Sequence, residues 1–171
     1  MKYIILLTFL VSLTLGDIIS INSFEADFTQ SIKNEKGESL EYKGHVKALK
    51  PQFALWSYLS PVKKEIYINS QQATIVEPEI EQVLIKKITG DFDFFRLIKN
   101  AKKVNKNLYT ATFQEVIYSI TIKNSKIMSI TYKNELENSV EIIFTKQVQN
   151  GKLAKEIFTP NIPMEYDIIR G

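Results

Sequence analysis

Apolar and polar residues alternate along much of the chain. From Phe24 the apolar positions Phe24, Ala26, Phe28 and Ile32 are interleaved with Glu25, Asp27, Thr29 and Ser31. A period of two puts one set on each face of a strand, one face buried and the other wet. The alternation returns at Leu40, Tyr42, Gly44, Val46 and Ala48, against Glu41, Lys43, His45 and Lys47. It returns again at Tyr118, Ile120 and Ile122, at Met128, Ile130 and Tyr132, and at Val140, Ile142 and Phe144. Polar breaks separate these runs: residues 34–38 with Gly37, residues 69–72, residues 105–107, and Asn124-Ser125. Asn150-Gly151 is the strongest hairpin signal, because both residues accept positive φ. Short strands joined by tight turns predict an antiparallel meander, and the lack of a long helical period argues against a parallel sheet.

One internal stretch reads as helix. Asp91 follows Gly90 as an N-cap, Asp93 sits in the first turn, and Phe92, Phe95, Leu97 and Ile98 form an apolar face with Phe94 beside it. Lys99 closes the last turn, where a cation suits the helix dipole. Asp17 to Ser23 is a second candidate for a short helical segment. The expected fold is therefore mainly β with short helices (α+β), built on nine or more strands. So few helical residues cannot cover one face of a flat sheet that large. Curling the sheet resolves this, giving an unclosed antiparallel β-barrel, or half-barrel, with the helix as lid or plug over a hydrophobic cavity.

The N-terminus changes the picture of where this domain works. Lys2 precedes an apolar run from Tyr3 to Leu15, broken by Thr8, Ser12 and Thr14 and followed by Gly16 and Asp17. That is the layout of a secretory signal peptide over residues 1–16, with one domain over residues 17–171. An uncleaved anchor is the alternative, although the run falls short of the about 20 apolar residues of a membrane span. The charge of +3 drops to +2 without Lys2. No dense basic patch with interleaved aromatics exists, so no nucleic-acid partner is expected. The chain has no cysteine. Disulfides, thiolate metal sites, a cysteine nucleophile and a lipidated N-terminal cysteine are thereby excluded.

Catalytic chemistry is poorly supplied. The single histidine, His45, lies on the polar phase of its strand and reads as solvent-facing. Nucleophile-elbow, zinc-binding and phosphate-cradling motifs are missing, and no catalytic residue, metal or cofactor is expected. Glu77, Glu79 and Glu81 at i, i+2 spacing are compatible with a carboxylate pair on one strand face, but a solvated edge is the simpler reading. What the chain has in quantity is apolar and aromatic surface: Phe53, Leu55, Trp56 and Tyr58 form a block, followed by Ile66 and Ile68 with Tyr67 on the opposite phase. The candidates for lining a cavity are Phe28, Tyr42, Val46, Phe53, Leu55, Trp56, Tyr58, Ile66, Ile68, Phe92, Phe95, Ile98, Tyr118, Ile120, Ile130 and Ile142. Ordinary core packing explains any one of them taken singly.

Several blocks bear a family likeness. Phe24-Glu25-Ala26-Asp27-Phe28-Thr29-Gln30 resembles the opening strand of the LolA family of periplasmic outer-membrane lipoprotein carriers. Gly44, Lys50-Pro51-Gln52-Phe53, Trp56 and Pro61 resemble that family's next signature. Glu79-Ile80-Glu81-Gln82, Phe94-Phe95-Arg96-Leu97-Ile98, Phe158-Thr159-Pro160 and Asp167 are similar to later segments, in order. The resemblance implies a monomeric periplasmic chaperone whose half-barrel holds the acyl chains of lipoproteins. Its implied partners are acylated lipoproteins, an inner-membrane lipoprotein-releasing ABC transporter and an outer-membrane acceptor. It also implies a lid latch at Lys50, where the family usually has arginine. Lysine keeps the charge but loses the planar donor fork. Another exported lipid binder of the same fold, a ligand-free structural domain and a disfavoured hydrolase remain as alternatives.

Overall fold

The computed structural model describes residues 20–69, 72–88 and 94–171. Residues 1–16, where a signal peptide is expected, and residues 90–93, including Phe92 and the Asp91 cap, lie outside the described residues. So do residues 17–19 of the second helical candidate; residues 20–22 are not helical.

Strands β1 (Ser23–Lys33), β2 (Ser39–Leu49), β3 (Phe53–Ser60), β4 (Lys64–Asn69), β5 (Gln72–Glu77) and β6 (Gln82–Lys87) come first. Helix α1 (Phe94–Lys99) follows, then β7 (Lys102–Lys103), β8 (Leu108–Phe113), β9 (Val116–Lys123), β10 (Lys126–Lys133), β11 (Ser139–Gln149) and β12 (Asp167–Arg170). They form one twelve-stranded sheet in the order β12-β6-β5-β4-β3-β2-β1-β11-β10-β9-β8-β7. Its two edges, β12 and β7, are not paired with each other, so the barrel stays unclosed.

The meander follows from local turn chemistry. Asn124 and Ser125 both adopt positive φ, 51° and 58°, as a two-residue hairpin of the mirror-image type requires. Gln114 and Glu115, which lack that compositional signal, do the same between β8 and β9. The loops at 34–38 and 134–138 share a device: an asparagine side-chain oxygen accepts a backbone N–H four residues on, Asn34 from Glu38 and Asn134 from Asn138.

Two expectations and one disfavoured alternative are corrected. Asn150 does adopt positive φ (60°), yet it does not turn a hairpin. It ends β11 and ties it to the chain entering β1: its N–H donates to the Ser23 carbonyl, and its Oδ1 accepts from the Asn22 N–H at 2.7 Å. The chain then leaves the sheet, makes a 3-10 turn at Lys155–Phe158, and returns as β12. β12 pairs with β6 in parallel, so the sheet is not purely antiparallel. Finally, Glu77, Glu79 and Glu81 do not share a strand face. Glu77 ends β5, Glu79 lies in a 3-10 turn, and Glu81 has a φ of 52°, because this segment is the connection from β5 to β6.

Gly44 sets how tightly the inner face packs. A Cβ there would meet the Ser57 carbonyl oxygen and the Phe28 ring, the latter at 2.7 Å. The missing side chain lets the Phe28 ring come close to β2, edge-on to Trp56 at 5.0 Å and to Tyr58 at 5.1 Å. Phe24, Phe28, Phe144, Ile98, Ile120 and Ile127 are almost wholly buried in the resulting core.

Candidate functional site: an apolar cavity inside the curled sheet

The concave face is not completely filled. It encloses a cavity of about 250 Å³. Ile66 and Ile68 on β4 and Tyr118 on β9 line the same space, although six strand steps separate them in the sheet order. A flat sheet would hold them about 29 Å apart, so the shared wall is a direct consequence of the curl.

Ten of the sequence candidates line this cavity: Val46, Phe53, Trp56, Tyr58, Ile66, Ile68, Phe95, Tyr118, Ile130 and Ile142. Phe28, Ile98 and Ile120 do not; at 3%, 1% and 0% exposure they belong to packed core. Tyr42 is not in the wall either, and its ring stacks edge-on against Tyr58 at 5.6 Å. Leu55 pairs with Lys47 and Tyr67, on the face opposite Ala54 and Trp56. Phe92 is outside the described residues. The wall also holds Phe24, Ala48, Ala54, Phe94, Leu97 and Phe144, together with the polar Gln30 and Gln52 and with Tyr132.

The cavity has two unlike ends. Toward α1 it is closed by Phe24, Phe94, Phe95, Leu97 and Phe144; Phe24 meets Phe94 at 5.5 Å and Phe144 at 5.1 Å. The apolar face of α1 does this because Phe95, Leu97 and Ile98 are its buried residues. The other end carries Gln30, Tyr58, Tyr118 and Tyr132. Phe24 and Gln30 are six residues apart on β1, which separates the two ends by about 20 Å. The Tyr58 hydroxyl donates to Gln30 Oε1 at 3.0 Å. Burial, with smaller contributions from Tyr132 and Tyr42, pushes Tyr58 from 10.0 up to about 12. Burial raises Tyr132 and Tyr118 as well. These hydroxyls stay neutral at physiological pH. The Lys64 ammonium stands 4.7 Å from the Tyr58 ring centre and 5.4 Å from that of Tyr42.

Lys50 sits just past β2. Its Nζ donates to Asn22 Oδ1 at 3.0 Å and lies 5.9 Å from the centre of the Phe95 ring on α1. Its backbone N–H donates to the Asn22 carbonyl at 2.9 Å. The lysine therefore links the β1 entry to the helix that caps the cavity.

The convex face has a different composition. His45 is on the polar phase as expected, but half-buried between two carboxylates: Nδ1 is 2.8 Å from Asp27 Oδ1 and Nε2 is 3.0 Å from Glu25 Oε1. Lys47 and Lys146 pair with Glu25 and Asp27 at 3.5 and 2.8 Å. No group of three or more His, Asp or Glu side chains among the described residues is arranged to hold a metal ion.

An open, curled sheet around a greasy cavity capped by a short helix defines a class of proteins that shelter hydrophobic ligands. The family model described as outer membrane lipoprotein carrier protein LolA matches residues 20–115, and the chain belongs to that family. It is 39% identical over 152 residues to the outer-membrane lipoprotein carrier protein of Campylobacter jejuni, covering 89% of each chain. It is 36% identical to that of Wolinella succinogenes, covering 93% of each. Among solved structures, a LolA superfamily protein from Nitrosomonas europaea superposes with a TM-score of 0.50 at 10% identity, covering 81% of this chain and 90% of that one. That likeness is one of fold.

Proposed function

We propose that this chain is a periplasmic carrier that takes up the acyl chains of lipoproteins leaving the inner membrane and delivers them to the outer membrane. The observation that carries the reading is the unfilled apolar cavity inside the sheet of a LolA-family chain. Burying a methylene is worth about 0.8 kcal/mol, so one long acyl chain resists water by on the order of 10 kcal/mol. Free diffusion through an aqueous gap is negligible at that cost, and a shielding protein is required. The task needs no bond made or broken.

The reading extends to the partners. An ABC transporter of the inner membrane releases the cargo and an outer-membrane acceptor takes it, while a signal peptide over residues 1–16 exports the carrier, which works as a monomer. The cavity of about 250 Å³ is slightly below the range of about 300–1,000 Å³ typical of ligand pockets. A group with two or three acyl chains therefore requires the walls to part. Lys50, between Asn22 and Phe95, is placed to resist that parting and acts as a latch on α1. The test is co-purification with one lipoprotein in acylated form and with its acceptor cysteine replaced by serine. Retention of the acylated form alone supports the reading. Equal retention, or none, overturns it.

A further inference from the structure

We infer that the tyrosine end of the cavity is a built subsite for the ester carbonyl oxygens of a diacylglyceryl group, so that cargo lies with its glyceryl end at Gln30 and its chains directed toward α1. This rests on the carrier reading and specifies how the same cavity orients its ligand.

Gln30 is the anomaly that points there. It is only 9% exposed, lines the cavity, and occupies the phase of β1 otherwise held by Phe24, Ala26 and Phe28. Placing an amide in an apolar wall is costly unless its donors and acceptors are used. Its Oε1 accepts from Tyr58, whereas its Nε2 has no hydrogen-bond partner among the described residues. That nitrogen is not sealed away, because no described side-chain N or O atom is both buried and unpartnered. The amide nitrogen therefore keeps some exposure, in a side chain that lines the cavity. Tyr132 lines the same cavity, with its ring against Tyr118 at 4.9 Å.

Ester carbonyls accept hydrogen bonds and donate none, which is the complement of an amide N–H₂ and a neutral phenol. The direction of loading follows from exposure. At the α1 end Phe24, Phe95, Leu97 and Phe144 are buried and Phe94 alone is partly exposed, whereas Tyr58, Tyr118 and Tyr132 are all partly exposed. The tyrosine end is the more open one. The head of the cargo, which must remain in water, belongs at that end.

The single tryptophan, Trp56, lines the cavity and reports occupancy by its fluorescence. The test titrates the protein with a synthetic diacylglyceryl lipopeptide with ester-linked chains and with its dialkyl ether analogue of equal chain length. Two neutral hydrogen bonds predict about tenfold tighter binding of the ester form. Gln30→Leu and Tyr132→Phe each move the ester-to-ether affinity ratio toward one. Tyr132→Phe keeps the aromatic pair, so it decides the matter even if Gln30→Leu does not fold. Equal affinity for the two probes in the unmodified protein overturns the subsite while leaving the carrier reading intact. So does a ratio that survives Tyr132→Phe. Failure to bind either probe overturns both. Diacyl and dialkyl phosphatidylglycerol form a second pair: discrimination there as well assigns the subsite to glyceryl esters in general, and discrimination only between lipopeptides assigns it to a protein-bound lipid.

Discussion

The two faces of β1 and β2 are made from alternate residues of the same two strands, one position apart, yet they follow opposite rules. On the concave face Phe24, Ala26, Phe28, Val46 and Ala48 are buried and the space beyond them is left partly empty. On the convex face Glu25, Asp27, His45 and Lys47 meet water and satisfy one another through hydrogen bonds and an ion pair. Period-two geometry makes this separation possible without any extra layer of structure. The contrast locates function. The outer face is complete as it stands, and the inner face leaves unused both apolar surface and hydrogen-bonding capacity.

The largest effect is expected where the inner face is packed. Phe144→Ala removes a ring 1% exposed that meets Phe24 and Trp56, and should cost about 3–5 kcal/mol in chemical denaturation. Gly44→Ala comes next. Its Cβ would collide with the Phe28 ring and the Ser57 carbonyl, and overpacking of this kind costs about 1–3 kcal/mol. A stability loss at Gly44 no larger than that of an exposed alanine would mean that β2 does not carry Phe28 as described.

Effects of pH then separate the faces. Burial holds Tyr58 at about 12 against 10.0. Above pH 10 the unfolded chain loses that proton while the folded one keeps it, so stability should fall progressively between about pH 10 and 12. Tyr58→Phe should flatten this alkaline slope, which thermal melts across the range would detect. On the outer face the sign is opposite. The hydrogen bond from Lys146, and then that from His45, hold Asp27 below its ordinary 3.8. Its contribution is present above that value and is lost as pH falls through the lower folded one. Lys146→Ala should therefore leave stability at neutral pH almost untouched, as expected of an exposed pair, and bring acid unfolding to slightly higher pH. This is the smallest effect of the series.

How much of this could be read beforehand also differs between the faces. β1, β2, β9, β10 and β11 announce themselves by alternation, because each has one wet face. The return of β12 alongside β6 carries no such mark: Asp167–Arg170 is a short segment beyond a long connection, and its register is set by tertiary pairing alone. Asn150 illustrates a local signal used for another purpose, since its positive φ serves to bind the start of β1. Eight of the ten candidates that line the cavity follow from strand phase, with Phe95 read from a helix face and Phe53 on the phase of Leu55, but phase cannot separate a residue that lines a space from one that fills it. Phe28 and Ile120 share the concave phase with Trp56 and Ile130 and differ only in what the curl brings against them. Gln30 does leave a trace in the sequence, as a polar residue on an apolar phase between Phe28 and Ile32. Tyr58 also stands among the cavity candidates, but its hydrogen bond to Gln30, 28 residues away, leaves no mark in the sequence.

On the proposed function, the concave face holds lipid attached to protein. The most direct test is release from spheroplasts. The purified protein is added to the cells, and the supernatant is assayed for acylated lipoprotein bound to it. A water-soluble one-to-one complex is expected, forming only when the protein is present. A supernatant no richer in acylated lipoprotein than a buffer control would contradict the carrier reading.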